Sequence, residues 1–120
     1  MKTVILLFMV VLLSANEVEL FEKLFSEMFN KKEIKVYTKY KNFNSKILKK
    51  VTSCKEADIV LGELNCSKPK FVLSYADFKN DSKVIGAFYW RKGRPQLRLR
   101  KNNILNHHLY LSKDFSEYLE

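Results

Sequence analysis

The stretch of sequence that decides the fold runs from Val84 to Lys101 and reads VIGAFYWRKGRPQLRLRK. Two segments, Val84 to Trp90 and Gln96 to Lys101, flank a glycine-containing turn, Arg91 to Arg94. Pro95 begins the return segment. Two extended segments separated by such a turn predict a β-hairpin.

The two faces of this hairpin carry different residues, because successive side chains of a strand point to opposite sides. Leu97 and Leu99 share one face, which we expect to lie against the core. Arg98 and Arg100 share the other face, which we expect to point to solvent. A hairpin with one charged face is predicted at an edge of the sheet, where charges prevent pairing with another chain.

The chain before the hairpin predicts the centre of the sheet. Ala57 to Gly62 is apolar nearly throughout, as a strand covered on both faces would be. Ile34 to Tyr40 alternates apolar and polar residues, which is typical of a half-buried strand. Between them, Ser45 to Ser53 is predicted to form a helix. Strand, helix and strand in this order predict a βαβ unit with a right-handed crossover.

The remaining segments complete a single α/β domain. Asn16 to Asn30 carries apolar residues at three- and four-residue spacing and predicts a helix. Lys70 to Tyr75 predicts a strand, Ala76 to Ser82 a loop, and Asn102 to His107 and Asp114 to Leu119 short helical segments. The expected fold is a mixed sheet of about five strands, with a βαβ unit and a C-terminal hairpin followed by short helices. The expected core includes Phe21, Leu24, Phe25, Leu48, Val51, Ile59, Leu61, Val72 and Leu97.

The composition excludes several classes of protein. The chain has 120 residues, of which 47% are hydrophobic and 29% are charged, as expected for one small globular domain. Three Gly and two Pro exclude a collagen-like or low-complexity chain. Two Cys are too few for a disulfide-dense mini-protein.

The N-terminus has the layout of a secretory signal peptide. A short basic start, Met1-Lys2, precedes the apolar run from Val4 to Leu13, and Ala15 is the expected residue before the cut. The run is shorter than the roughly 20 apolar residues that span a bilayer. We therefore expect a signal peptide over 1–15 and a single periplasmic domain over 16–120, the alternative being an uncleaved membrane anchor.

Cys54 and Cys66 are candidates for a disulfide, which an oxidising compartment favours. A straight strand of six residues between them would be roughly 20 Å long. A disulfide needs Cα atoms within about 7 Å, so these cysteines can bond only if the chain doubles back. The alternative is a pair of half-buried thiols.

The positive charge is concentrated on the hairpin. The whole chain carries a formal charge of +9, and Arg91 to Lys101 contains six basic residues and no acid. An acidic partner protein or an anionic ligand would suit such a surface, and nucleic acid is not expected in the periplasm. A solvated edge without a partner is the alternative. The candidate binding residues are Tyr89, Trp90, Arg91, Lys92, Arg94, Arg98 and Arg100.

Signatures of catalysis are missing from the sequence. There is no GxSxG, no phosphate-binding Gly-rich loop and no HExxH, so we expect neither an enzyme nor a cofactor. His107 and His108 are adjacent and would not ligate one metal from the same helix face, so no metal is expected. A small-ligand site or an unrecognised small enzyme remains the alternative, with a pocket near the strand ends around Ser74 and Asp77. Asp58 could be an acid of raised pKa or a hydrogen-bond partner at a strand end.

The second half of the chain resembles a known family. The segments that carry the resemblance are CKEADIVL at 54–61, PKFVLSYADF at 69–78, the hairpin, and Asn102 to Leu119. Over about residues 54–119 the order of these features is similar to the YfiR-like family of small secreted bacterial regulators. That family usually has an additional early strand, more cysteines and a second glycine beside the position of Gly86. The resemblance implies a non-catalytic periplasmic protein that restrains or informs an inner-membrane signalling enzyme, often a diguanylate cyclase.

Overall fold

The computed structural model describes residues 15–39 and 44–120. Apart from Ala15, the predicted signal peptide lies outside these residues. In the described part of the chain, no helix is both long enough and apolar enough to cross a bilayer. The elements are α1 (Ala15–Phe29), β1 (Ile34–Thr38), β2 (Leu48–Val51), β3 (Ile59–Leu61), β4 (Lys70–Val72), α2 (Tyr75–Asn80), β5 (Gly86–Arg91), β6 (Arg94–Leu99), α3 (Lys101–Asn106) and a 3₁₀ helix (Lys113–Tyr118).

The six strands form one mixed sheet in the order β2-β1-β3-β4-β5-β6. Neighbouring strands from β2 to β5 are parallel, and β6 returns antiparallel to β5. The predicted α/β fold is therefore confirmed, with six strands instead of five. The central position of β3 and the edge position of the hairpin are also confirmed.

The helix predicted over Ser45 to Ser53 is wrong, because Leu48–Val51 is the edge strand β2. Leu48 is buried, and β2 pairs in parallel with β1 from Ile34 to Tyr37. Ser45 holds the turn into this strand, since its Oγ accepts the N–H groups of residues 47 and 48 at 3.0 and 2.9 Å. A short run with few apolar residues has no clear helical or strand periodicity. The conformation of this segment was therefore decided by its pairing with β1.

The βαβ unit lies at β4–α2–β5, later in the chain than predicted. Tyr75–Asn80 is a helix, although it falls largely in the segment predicted as a loop. Ser74 caps this helix by accepting the Asp77 N–H at 3.1 Å. Such a cap satisfies one of the unpaired donors of the first turn and is worth about 1 kcal/mol.

The main core lies between α1 and one face of the sheet. The rings of Phe21 and Phe25 stack with centroids 5.4 Å apart, and both contact the ring of Phe71 edge-on. Each fully buried aromatic side chain contributes about 1.5–3 kcal/mol. The predicted core residues that are buried are Phe21, Leu24, Phe25, Leu48, Ile59, Leu61 and Val72. Val51 and Leu97 are only half-buried, and Leu97 packs against the rim of this core.

A smaller core lies on the opposite face, beneath α2. Its buried members are Val72, Phe78, Val84, Ala87 and Tyr89. This end of the sheet is therefore covered on both faces, by α1 on one side and by α2 on the other.

The cysteines are joined by a disulfide, with Cα atoms 5.6 Å apart. The strand between them is shorter than the sequence suggested, because β3 spans only Ile59–Leu61. The chain doubles back after β3, which brings Cys66 to Cys54.

Candidate functional site

The tip of the hairpin presents exposed bases. The register runs from Gly86↔Leu99 to Arg91↔Arg94, so the predicted hairpin is confirmed. Lys92 and Gly93 form its two-residue turn, and both have positive φ values, +52° and +77°. Turns of this kind match the right-handed twist of paired strands. Arg91, Lys92 and Arg94 are all exposed there.

Arg100 does not point to solvent, and that prediction is wrong. Its guanidinium donates to the carbonyl oxygens of Phe78 and Asp81 at 2.5 and 2.7 Å. It also lies 3.9 Å from the centroid of the Phe78 ring. Arg100 therefore holds the end of α2 onto the sheet. The side of the strand was predicted correctly, but the helix that covers that side was not.

Arg98 is also engaged within the protein, against the prediction that it points to solvent. It forms an ion pair with Glu120 and lies over the ring of Phe78, 5.3 Å from its centroid. A hydrogen bond with Tyr89, followed by the contact with Glu120, raises the pKa of Arg98 despite its partial burial. Arg98 and Arg100 thus belong to the packing of α2 and the C-terminus, and not to the exposed basic surface.

An aromatic notch lies beside the exposed bases. Strand β5 continues to Arg91, whereas the neighbouring β4 ends at Val72, and a cavity of about 490 Å³ opens beyond that end. Tyr75 and Trp90 are 43% and 38% exposed. Tyr75 lies beside Tyr89 and Trp90 beside Phe88, so aromatic surface is exposed on both faces of the sheet at the end of β5. We call aromatic notch the cavity lined by Leu73, Ser74, Tyr75, Tyr89, Trp90 and Arg91.

The exposed rings of the notch, those of Tyr75 and Trp90, each pack against a neighbouring ring. Trp90 meets the ring of Phe88 edge-on, with centroids 6.1 Å apart. Tyr75 lies 5.7 Å from Tyr89, centroid to centroid. Rigid aromatic side chains lose little entropy when they bind a partner, which suits them to anchor an interface.

A second cavity, the strand-end pocket, adjoins the notch. Its volume is about 290 Å³, and it contains both residues predicted for a ligand site, Ser74 and Asp77. Leu73 and Ser74 line this pocket as well as the notch. The lining of the strand-end pocket is Lys39, Leu61, Gly62, Glu63, Leu64, Leu73, Ser74 and Asp77.

Among the lining residues that the sequence analysis did not assign to a site are Tyr75 in the notch and Lys39 in the strand-end pocket. Tyr75 was assigned to a strand, but it begins α2 and faces the notch. Lys39 follows β1 directly and reaches the strand-end pocket. Ser74 is a helix-capping signal that could have shown that Tyr75 begins a helix. No local pattern marks Lys39 as a pocket residue.

Asp58 acts as a hydrogen-bond partner at a strand end. It accepts from the Lys31 ammonium and from the Lys35 N–H, both at 2.9 Å. Burial tends to raise its pKa, but these hydrogen bonds and the two lysine charges lower it overall. A carboxyl group held ionised in this way is unsuited to donate a proton at neutral pH.

Lys70 lies between two carboxylates, one of which, Glu63, lines the strand-end pocket. Its ammonium is 2.6 Å from Glu63 and 3.3 Å from Asp81. Burial tends to lower the pKa of Lys70, but the hydrogen bonds to both carboxylates raise it overall. Lys70 is therefore held protonated and is unsuited to act as a nucleophile.

The adjacent histidines are not part of either cavity. His107 is half-buried, and burial followed by the neighbouring charge of His108 lowers its pKa. Within residues 15–39 and 44–120, no group of three His, Cys, Asp or Glu side chains is arranged to hold a metal ion.

Comparisons with known proteins give no match: no family model, no curated protein and no solved structure matches this chain. None of these comparisons bears on the YfiR-like resemblance, which stays a prediction.

Proposed function

We propose that this protein is a non-catalytic periplasmic regulator that binds an acidic partner protein at the tip of its hairpin. The partner suggested by the YfiR-like resemblance is an inner-membrane signalling enzyme. The observation that carries the proposal is the aromatic notch with exposed bases at its rim.

The notch combines the two kinds of residue that dominate the energy of protein interfaces. Tyr, Trp and Arg are enriched among the residues whose loss weakens binding most. Trp90 and Arg91 present two of these residue types on opposite faces at the end of β5. The neighbouring bases add steering, because unpaired rim charges accelerate association with a partner of opposite charge. Within the part of the chain that the structure describes, no acid forms an ion pair with Arg91, Lys92 or Arg94.

Two observations support a periplasmic location. The apolar run from Val4 to Leu13 follows a basic start, as in a signal peptide. The disulfide between Cys54 and Cys66 is compatible with an oxidising compartment, where such bonds persist.

The experiment begins with capture of the partner at the notch. A photo-crosslinking amino acid replaces Trp90 in the source cells, the crosslinked protein is identified, and its affinity for the purified wild-type protein is measured. The double variant Arg91→Glu/Arg94→Glu should bind that partner at least about tenfold more weakly at low salt, a loss that shrinks as salt screens the charges.

A matched control separates the local surface from the overall charge. Lys49→Glu/Lys50→Glu makes the same change in charge on exposed residues of β2, at the opposite edge of the sheet. This control should retain most of the affinity. If the double variant at the tip binds as tightly at low salt as the wild type, the basic tip is only a solvated edge and the proposal fails.

A further inference from the structure

The strand-end pocket lies where the direction of the sheet connections reverses. The chain passes from β1 to β2 on one side and then to β3 on the other side of β1. In open parallel sheets, the segments that leave the strands on either side of such a point diverge and leave a crevice at the carboxyl ends of the strands. Lys39 follows β1 and Gly62 follows β3, and both line the pocket.

Two residues of opposite charge, which belong to separate parts of the fold, line the pocket. Lys39 follows β1, and Asp77 lies in the first turn of α2. Among residues 15–39 and 44–120, neither charged group forms an ion pair or a side-chain hydrogen bond. The third charged group of the lining, Glu63, is 2.6 Å from the Lys70 ammonium, and its charge is offset by that contact.

The remaining lining is apolar apart from one hydroxyl group and a glycine. Leu64 and Leu73, which are half-buried, supply the apolar surface. The Oγ of Ser74 accepts the N–H of Asp77, so its own hydrogen is available to donate to a ligand.

We infer that the strand-end pocket binds a free α-amino acid with an apolar side chain. Lys39 and the Ser74 hydroxyl face the ligand carboxylate, Asp77 faces its ammonium group, and the leucines contact its side chain. A ligand that carried only negative charge would leave Asp77 opposed by a like charge, and a purely cationic ligand would do the same to Lys39. The pocket shares Leu73 and Ser74 with the notch but is not lined by Arg91, Lys92 or Arg94. Its test uses no partner protein, so the outcome is independent of the proposed partner.

The test measures binding of defined compounds to the purified protein by calorimetry. L-leucine, L-methionine and L-phenylalanine are the probes, and at least one should bind with a Kd below about 1 mM. For leucine, two analogues each lack one charge: 4-methylpentanoate has no ammonium group and 3-methylbutan-1-amine has no carboxylate. Each analogue should bind at least about tenfold more weakly than leucine, because one charged group of the site is then left without its partner.

Two variants locate the site. Lys39→Met and Asp77→Asn should each weaken leucine binding at least about tenfold. Lys79→Met and Asp114→Asn make the same substitutions on exposed residues outside the pocket and should leave binding unchanged. Amide NMR spectra establish that all four variants are folded, and the leucine-induced shifts of the wild type should centre on Gly62 and Leu64.

Three results would overturn the inference. The first is that none of the three amino acids binds below about 1 mM. The second is that the single-charge analogues bind as tightly as leucine. The third is that Lys39→Met and Asp77→Asn are folded and bind leucine like the wild type.

Discussion

The two ends of the hairpin, the tip at residues 91–94 and the root at residues 98–100, both carry arginines. The arginines at the tip are exposed, whereas those at the root pack within the protein. At the tip, Arg91 and Arg94 face each other across the strands and are exposed. At the root, Arg98 and Arg100 lie against the ring of Phe78. The difference comes from α2, which covers the root on that face.

A run of bases in a sequence therefore does not define a binding surface. Arg100 donates two hydrogen bonds to main-chain carbonyl oxygens, which makes it part of the structure that holds α2. Arg91 and Arg94 form no such bonds with the described residues and can face a partner. Substitutions at the root should consequently change stability, and substitutions at the tip should change binding.

The largest expected effect is at Arg100. Arg100→Glu should lower the free energy of unfolding by about 3 kcal/mol, because two hydrogen bonds from a charged donor are lost and a carboxylate then faces two carbonyl oxygens. Urea denaturation measures the change. Arg100→Lys keeps the charge but loses the planar fork, so its loss should be intermediate. A loss of less than about 0.5 kcal/mol for Arg100→Glu would make root and tip equivalent and contradict the comparison.

A somewhat smaller effect is expected at Gly86, in the strand that pairs with the root. A Cβ added there would lie 2.7 Å from the carbonyl oxygen of Arg98 and 2.8 Å from Leu99 Cδ2. Gly86→Ala should therefore destabilise the protein by about 1–3 kcal/mol, the usual cost of overpacking. Thermal unfolding measures the effect.

The control for Gly86 lies near the tip of the same hairpin. Pro95 is exposed, and Pro95→Ala should change stability by less than about 0.5 kcal/mol. Equal melting temperatures for Gly86→Ala and the wild type would contradict the prediction for Gly86. They would show that β5 and β6 can move apart to accommodate a Cβ with little loss of stability.

The smallest effect has the opposite sign. Arg94→Glu replaces a like-charged pair across the strands by an opposite-charged pair, so it should raise the free energy of unfolding by about 0.2–1 kcal/mol. Urea denaturation at low and high salt measures this gain, which should shrink as salt increases. The double variant Arg91→Glu/Arg94→Glu restores a like-charged pair and should return stability to that of the wild type. A loss above about 1 kcal/mol in the single variant would show that Arg94 has a structural role.

Local patterns predicted the elements that are long or strongly patterned. The first helix has apolar residues on one face over 15 residues and was placed within one residue at each end. The hairpin followed from a glycine turn between two extended segments, and β3 from its apolar run. Two short segments failed: Ser45 to Ser53 proved to contain β2, and Ala76 to Ser82 proved to hold most of α2. In a segment of four to six residues, the apolar periodicity is too weak to determine the conformation. Strand pairing decided the conformation of the first segment, and helix capping that of the second. The two short helical segments near the C-terminus were each placed within one residue.

The candidate sites were predicted in part. Ser74, Asp77, Tyr89 and Trp90 were all expected at ligand or partner sites, and the structure places each of them in the wall of a cavity. The two cavities themselves depend on where β4 ends relative to β5 and on where the chain goes after β1. Those relations join residues far apart in sequence, and no local pattern contains them.

The sequence by itself determined the class of fold, the alternation of side chains along the hairpin and the concentration of positive charge from Arg91 to Lys101. Only the tertiary structure decided which of those charges face solvent. Alternation along a strand is a property of the backbone and needs no other element. Exposure depends on what covers each face, and α2 reaches Arg98 and Arg100 at the root of the hairpin but not Arg91 and Arg94 at its tip.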